Sequence, residues 1–298
     1  MNLRRRFSRS SLAVFLALLG LSGCAYKQLI FNHLDWLIVY QLDSYLDMTS
    51  IQEQQIKIPV HETVDWLKAE RLPGMIGLLK TMAQAAEAQK ISAANIDQWQ
   101  TEINVWRIEV TDRIATPFGL LLRQLSTDQL EHLDRKLDQG ERDLLKLLER
   151  SDREFPSAFD DYVGELAKSY EFWFGPIRKD QKQLLVDKLG WNRQKLQEGA
   201  RQRKRIREYW FEELKKHDAK NLSQMIKRSS EPDGPWNDAD YKKYRQETRE
   251  SWRQFFIAML ASLNDEQWKH FGKVLNELAQ DMQRLHDEHM QVEKAKLN

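Results

Sequence analysis

Near the C-terminal end, His286, His289 and Glu293 recur at i, i+3 and i+7. On a helix this spacing puts two imidazoles and a carboxylate on one face, the donor types that a zinc-like ion takes. A metal centre also needs a fourth ligand or ordered groups behind the first three, and the sequence offers neither. The segment also lies near a terminus, where helices fray. The expectation is therefore a solvated polar face and no metal. A second set of carboxylates, Asp35, Asp43 and Asp47, fits one helix but not one tight face. These read as surface charges or caps rather than an acid–base pair. The chain has no Gly-x-Ser-x-Gly, His-Glu-x-x-His, Cys-x-x-Cys or phosphate-cradling glycine loop. The reading is a protein that is not an enzyme.

The other concentrated chemistry is cationic. From Arg193 to Arg207 the chain carries Lys195, Arg201, Arg203, Lys204, Arg205 and Arg207, with little apolar periodicity until Ile206, Trp210 and Leu214 resume it. A helix that is polar all round is exposed, bridges between parts, or forms weakly. Two readings stay open. One is a solvated face balanced by Glu198, Glu208, Glu212 and Glu213. The other is a surface of Arg201, Arg203, Lys204, Arg205 and Arg207 for an anionic partner: an acidic protein segment, lipopolysaccharide or phospholipid headgroups.

One cysteine, Cys24, stands among 298 residues. It follows a basic start (Arg4, Arg5, Arg6, Arg9), an apolar run from Leu12 to Leu21, and Ser22-Gly23. That order makes a secretory signal. With a cysteine directly after the cleavage point, Leu21-Ser22-Gly23-Cys24 resembles the lipobox of bacterial lipoproteins. The resemblance implies cleavage between Gly23 and Cys24 and a diacylglycerol and N-acyl lipid on Cys24, with no other cofactor. Ala25, where a retained lipoprotein would carry Asp, implies the outer membrane on its periplasmic side. Arg4-Arg5-Arg6-Phe7-Ser8-Arg9 is also a little similar to a twin-arginine signal. The apolar run is too short to span a bilayer, which takes about 20 residues. A lipid-anchored chain is thereby expected, held at the membrane by acyl chains alone.

Composition fits a helical protein. The chain has 46 basic and 45 acidic residues, and losing the four arginines of the signal tips the remainder slightly acidic. Such a balance gives no pull toward nucleic acid, which is not expected as a partner. With Cys24 lipidated no disulfide can form, so the core alone must hold the fold. Only 12 Gly and 7 Pro punctuate the chain, and no run alternates with a period of two. The fold class is all-α, an antiparallel bundle of about seven to nine helices.

Pro73-Gly74, Thr116-Pro117, Phe155-Pro156 and Gly175-Pro176 read as joints, and Pro59 should kink or split its helix. Apolar stripes run through Ile96, Trp99, Ile103, Trp106 and Val110, through Leu130, Leu133, Leu137, Leu144 and Leu148, and most cleanly through Trp268, Phe271, Leu275, Leu278, Met282 and Leu285. The ten Trp read mostly as core anchors, and Tyr170–Pro176 as a packed corner. The organisation expected is a signal at 1–23, a lipidated tether at 24–32, one helical domain at 33–290 with a loop near 229–238, and a frayed end at 291–298.

A short form repeats along the chain: Met48-Thr49-Ser50-Ile51-Gln52, Leu125-Ser126-Thr127-Asp128-Gln129 and Leu263-Asn264-Asp265-Glu266-Gln267. Ile91–Asn95 is a degenerate copy, and Ile177–Gln181 a poorer one, since Arg178 cannot cap as Ser or Thr does. In each good copy a capping side chain takes an N–H of the first turn, and the residue three on reaches back. The form resembles the Leu-Thr-x-x-Gln motif of small periplasmic stress chaperones of the Spy and CpxP type. Those are helical and bind unfolded envelope proteins on a concave basic and apolar surface. Leu34-Asp35-Trp36-Leu37, Tyr40, Asp43, Tyr45-Leu46-Asp47, Met48-Thr49, Gln52, Trp66 and Glu70-Arg71-Leu72-Pro73 look like an uncharacterised family of proteobacterial envelope lipoproteins. That family carries a domain of unknown function over nearly the whole mature chain. The function expected is a non-enzymatic binding role, chaperone-like toward envelope proteins, with a structural or assembly factor for one envelope partner as the alternative.

Overall fold

Thr49, Ser92, Ser126, Asn192, Asp218 and Asp238 each accept a backbone N–H of the helical turn that follows, and so start a helix. The computed structural model describes residues 33–231 and 233–296. The predicted signal, the tether and the cleavage pair Gly23–Cys24 lie outside the described residues, as does Pro232 of the predicted loop. The helices are α1 (Leu34–Leu46), α2 (Ser50–Trp66), α3 (Leu72–Glu87), α4 (Ala93–Leu122), α5 (Thr127–Leu148), α6 (Phe155–Phe174), α7 (Lys179–Leu189), α8 (Arg193–Leu214), α9 (Ala219–Ser229), α10 (Ala239–Ala261) and α11 (Asp265–Lys296). The described residues contain no strand, and no helix among them is long and apolar enough to cross a membrane. There are more helices than the stripes suggest, partly because α7 and α9 are only 11 residues long.

The prolines mislead in part. Pro156 and Pro176 stand at joints, but Pro117 lies inside α4; Pro59 lies inside α2, as its helical surroundings suggest, and does not split it. A mid-helix proline loses a ladder bond and costs about 3 kcal/mol. Burial on both sides offsets that cost. In α2 the buried stripe Gln52, Ile56, Val60, Thr63 and Val64 straddles Pro59, and the Thr63 hydroxyl donates to the Pro59 carbonyl at 2.7 Å. Pro73 is no joint either. A π-helical turn, Leu67–Arg71, runs straight from α2 into α3, and Leu72 N–H reaches the Leu67 carbonyl.

The architecture is a doubled one. In the first half, α1 leads into α2 through the Thr49 cap and α4 leads into α5 through the Ser126 cap. In the second, α6 leads into α7 at Arg178 and α10 leads into α11 at Asn264. Packing follows the same scheme in both: α1 rests on α2 and α5 as α6 rests on α7 and α11, and α2 meets α4 as α7 meets α10. Each half has its own core. Val39, Leu46, Ile56, Val60, Leu125 and Leu130 centre the first, and Val163, Leu185, Phe255, Met259, Phe271 and Leu275 the second.

The connecting helices are exchanged. From between α2 and α4, α3 crosses to pack along α11. From between α7 and α10, α9 crosses to pack along α4. Ala83 and Ala86 of α3 thus sit in the second core, and Leu222 and Met225 of α9 in the first. A further cluster, Leu72 and Ile76 with Leu278, Met282 and Leu285, fastens α3 to α11.

The α11 stripe is buried throughout, and Phe174 of the aromatic corner packs on Phe271 at 5.1 Å. Burial raises the Tyr170 phenol well above its ordinary range. The α4 stripe is broken: Trp99 is buried but Ile103 is 44% exposed. The tryptophans are not uniformly core anchors. Trp99 and Trp268 are buried, whereas Trp36 is 61% exposed. At the C-terminal end α11 runs on to Lys296, past the predicted boundary at 290, with Lys296 Nζ 2.7 Å from Glu293.

Candidate functional site

The repeated form does more than start helices. Gln52 Oε1 accepts the Thr49 N–H at 2.9 Å, and Gln129 Oε1 accepts the Ser126 N–H at 3.0 Å. The two amides then bond each other: Gln129 Nε2 donates to Gln52 Oε1 at 2.8 Å, and Gln52 Nε2 to Gln129 Oε1 at 3.3 Å. Gln129 Nε2 also reaches the carbonyls of Leu46 and Asp47, which close α1. The second half repeats this with Gln181 and Gln267, whose amides donate to each other at 2.9 and 3.0 Å. Gln267 Nε2 further reaches the Pro176 carbonyl. All four glutamines are buried. The copy that looks poorest in the sequence, Ile177–Gln181, is thus a full partner. Arg178 does not cap, but its guanidinium donates to Gln267 Oε1 at 2.6 Å and to the Ser262 carbonyl at 2.8 Å. The Ser92–Asn95 copy closes a capping box that pairs with no glutamine.

The cationic segment lies on α8, and each of its five named cations meets a carboxylate. Arg201 binds Glu198, Arg203 binds Glu141, Lys204 stands 3.9 Å from Glu208, Arg205 binds Asp238, and Arg207 binds Asp134 and Asp138. Bonds from Arg201 and Gln202 hold Glu198 below its ordinary value. Burial opposes charge on Arg207, yet Asp138 and Asp134 raise it above its ordinary value. Several of these counter-charges, Asp134, Asp138 and Glu141 on α5 and Asp238 beside α10, come from far along the chain and carry no sign in the sequence of their role. The segment works as a charged seam between helices.

His286, His289 and Glu293 do not converge. His286 Nδ1 lies 2.9 Å from the Lys68 carbonyl, and His289 Nδ1 lies 4.0 Å from Asp65. The reason is in the π turn. In its i→i−5 register the donor for Lys68 would be residue 73, a proline without an N–H. His286 supplies the missing proton. His286→Phe should leave that carbonyl unpaired and cost about 1–3 kcal/mol in a denaturant melt. An unchanged midpoint would mean that water serves as well. Among the described residues no three His, Cys, Asp or Glu side chains gather as a metal site. The carboxylates of α1 serve as caps and ties: Asp43 Oδ1 accepts the Met48 N–H at 2.9 Å, and Asp35 meets His61 at 2.9 Å. Burial opposes the charge on Asp35, but the His61 bond holds it below its ordinary value.

What faces solvent is apolar in places. Trp36 and Tyr40 of α1 stack at 5.4 Å and point away from the core. Ile51 and Ile58 share one outward stripe of α2, and Val105 and Ile108 one of α4. The sequence signal for the first pair is an α1 whose apolar residues, Leu34, Trp36, Leu37, Ile38, Val39 and Tyr40, fall on every side, so that they cannot all be buried.

Residues 44–228 match DUF6279, described as a family of unknown function. The match is narrower than the resemblance implies, for it leaves most of α1 and all of α10 and α11 outside. No curated protein matches the chain. No solved structure matches it.

Proposed function

We propose a non-enzymatic binding role for this chain, which belongs to the DUF6279 family. In this reading it is an antiparallel helical bundle at the periplasmic side of the outer membrane. A lipid on Cys24, after cleavage behind Gly23, holds it there, and it captures envelope proteins in the manner of a chaperone. The tether rests on the sequence pattern alone. The observation that carries the binding role is the apolar surface left in water, above all the Trp36–Tyr40 stack. A stacked aromatic pair offers a large apolar area at low entropic cost, which suits clients whose own apolar side chains are uncovered. The buried glutamines do not touch a client in this reading. They set the helices whose outer faces do. The balanced charges of α8 leave the apolar faces as the primary contact and Arg201, Arg203, Lys204, Arg205 and Arg207 as secondary ones.

The test is light scattering from a reduced, unfolding client in the presence of the mature chain from Ala25. Near-stoichiometric protein should suppress aggregation, and the Trp36→Ser, Tyr40→Ser double variant should lose most of that effect while melting normally. No suppression at several-fold excess would sink the chaperone reading. It would favour an assembly factor, for which crosslinking in cells should recover one stoichiometric partner on the same α1 face.

A further inference from the structure

Guanidiniums that bridge helices in this protein generally meet carboxylates: Arg71 meets Glu109, Arg203 meets Glu141, and Arg253 meets Asp97. Arg107 of α4 and Arg245 of α10 depart from this. Arg107 Nη2 donates to the Ser230 carbonyl at 2.7 Å, and Arg245 Nη2 donates to the Glu231 carbonyl at 3.2 Å. Two cations from different helices therefore converge on consecutive carbonyls of the turn after α9, and a carbonyl cancels no charge. The acids nearest in sequence to these groups are engaged elsewhere. Glu231 faces Arg228, Asp112 faces Lys227, Asp233 faces Lys242, and Glu250 faces Arg253. Arg249, one turn on from Arg245, adds a third guanidinium. Burial and the repulsion of Arg245 and Arg249 together hold Arg107 below its ordinary value, the mark of positive charges gathered closely.

The side chains are held in place. Arg245 Nη1 lies 3.3 Å from Tyr241 Oη, and its guanidinium stands 5.7 Å from the Tyr241 ring centre. Gly234, at φ 73°, passes so close that an added Cβ would lie 2.9 Å from Nη1. Arg107 is exposed at its outer side, and its guanidinium reaches the Ser230 carbonyl through Nη2 alone among the described residues. Held guanidinium forks with spare donors suit tetrahedral oxyanions, which take two parallel N–H bonds from each fork.

We infer that Arg107 and Arg245 form a binding site for a phosphate group. The phosphate belongs either to a lipid headgroup or to a small soluble anion. The site lies on α4 and α10, away from the Trp36–Tyr40 stack of α1, so it stands or falls separately from client binding.

Calorimetric titration of the mature chain with inorganic phosphate, at constant ionic strength set with chloride, tests it. Binding should weaken roughly a hundred-fold or more in the Arg107→Gln, Arg245→Gln double variant, the loss expected for two charge-assisted bonds. Circular dichroism checks that the variant folds. If it does not, Arg107→Lys with Arg245→Lys keeps the charge, removes the forks, and should still weaken phosphate. Flotation with phosphatidylcholine vesicles, with and without phosphatidic acid, identifies the source. Capture by the phosphatidic acid vesicles alone, lost in the variant, supports a lipid phosphate. Binding of free phosphate without vesicle capture supports a soluble anion. No binding of either probe, or equal binding by a folded double variant, overturns the site.

Discussion

Replacing Gln129 with Leu should lower the unfolding free energy by about 3 kcal/mol or more, the cost of several buried polar groups left without partners. The shape change is small, so the loss is one of hydrogen bonding. Gln129 holds four groups at once: the Ser126 N–H, the carbonyls of Leu46 and Asp47, and the amide of Gln52. Among the described residues no buried side-chain polar atom lacks a partner, so nothing stands ready to replace it. Those groups belong to three separate helix ends, the C-terminus of α1 and the N-termini of α2 and α5. One substitution thus loosens the point where the first half is assembled. Gln181→Leu should do the same in the second half, by releasing the Arg178 N–H and the Gln267 amide. A cycle with Gln52→Leu discriminates further. If the amides hold each other, the double variant should cost clearly less than the two single losses added, because neither amide is then stranded. A Gln129→Leu midpoint within error of the native one would mean that the pair is hydrated and adds nothing.

Why the helix starts were legible and their pairing was not follows from distance along the chain. A capping box spans three residues, so Thr49 to Gln52 and Ser126 to Gln129 can be read from a short window. The bond that joins the boxes spans 77 residues in the first half and 86 in the second. No local pattern reports that. Arg178 shows the same limit from the other side. It is a poor cap, yet the box survives because Gln181 still reaches back to its N–H and tertiary partners take its guanidinium. The His286 stripe reads as a solvated polar face in one dimension, but its meaning comes from Lys68, 218 residues away. The basic run of α8 has the same character. Its positive charge is plain in the sequence, while the acids of α5 that meet it are not. For the proposed binding surface, the sequence marks apolar residues on every side of α1, and only the packing of α2 and α5 against it decides that Trp36 and Tyr40 are left outside.

Gly119→Ala should be the costliest glycine-to-alanine change among the described residues, because α4 and α9 touch there backbone to backbone. A Cβ at residue 119 would lie 2.7 Å from the Ala219 carbonyl oxygen and 2.9 Å from the Ser223 nitrogen, with Ser223 Oγ nearer still. Two of those three atoms are main chain of α9 and cannot rotate away. The third is tied down, since Ser223 Oγ donates to the Ala219 carbonyl at 2.7 Å. Overpacking costs about 1–3 kcal/mol when side chains can shift, and rigid neighbours put this site at or above the top of that range. The methyl should therefore push α9 off α4, withdrawing Leu222 and Met225 from the first core. Helix propensity works the other way, since Ala is favoured over Gly by about 1 kcal/mol within a helix. A net loss thus measures the contact itself. Ser223→Gly in the same background should recover only part of the stability, because it removes one of the three clashes and leaves the two backbone ones. Hydrogen exchange should localise the effect to α9 and the last turns of α4 while the second core stays protected. Since α9 is the helix that the second half lends to the first, faster exchange of α9 with no change around Gln181 and Gln267 would show how far the two halves can be uncoupled. A Gly119→Ala protein as stable as the native one would show that the two helices have room to part there, and the close crossing would not be what holds α9 in place.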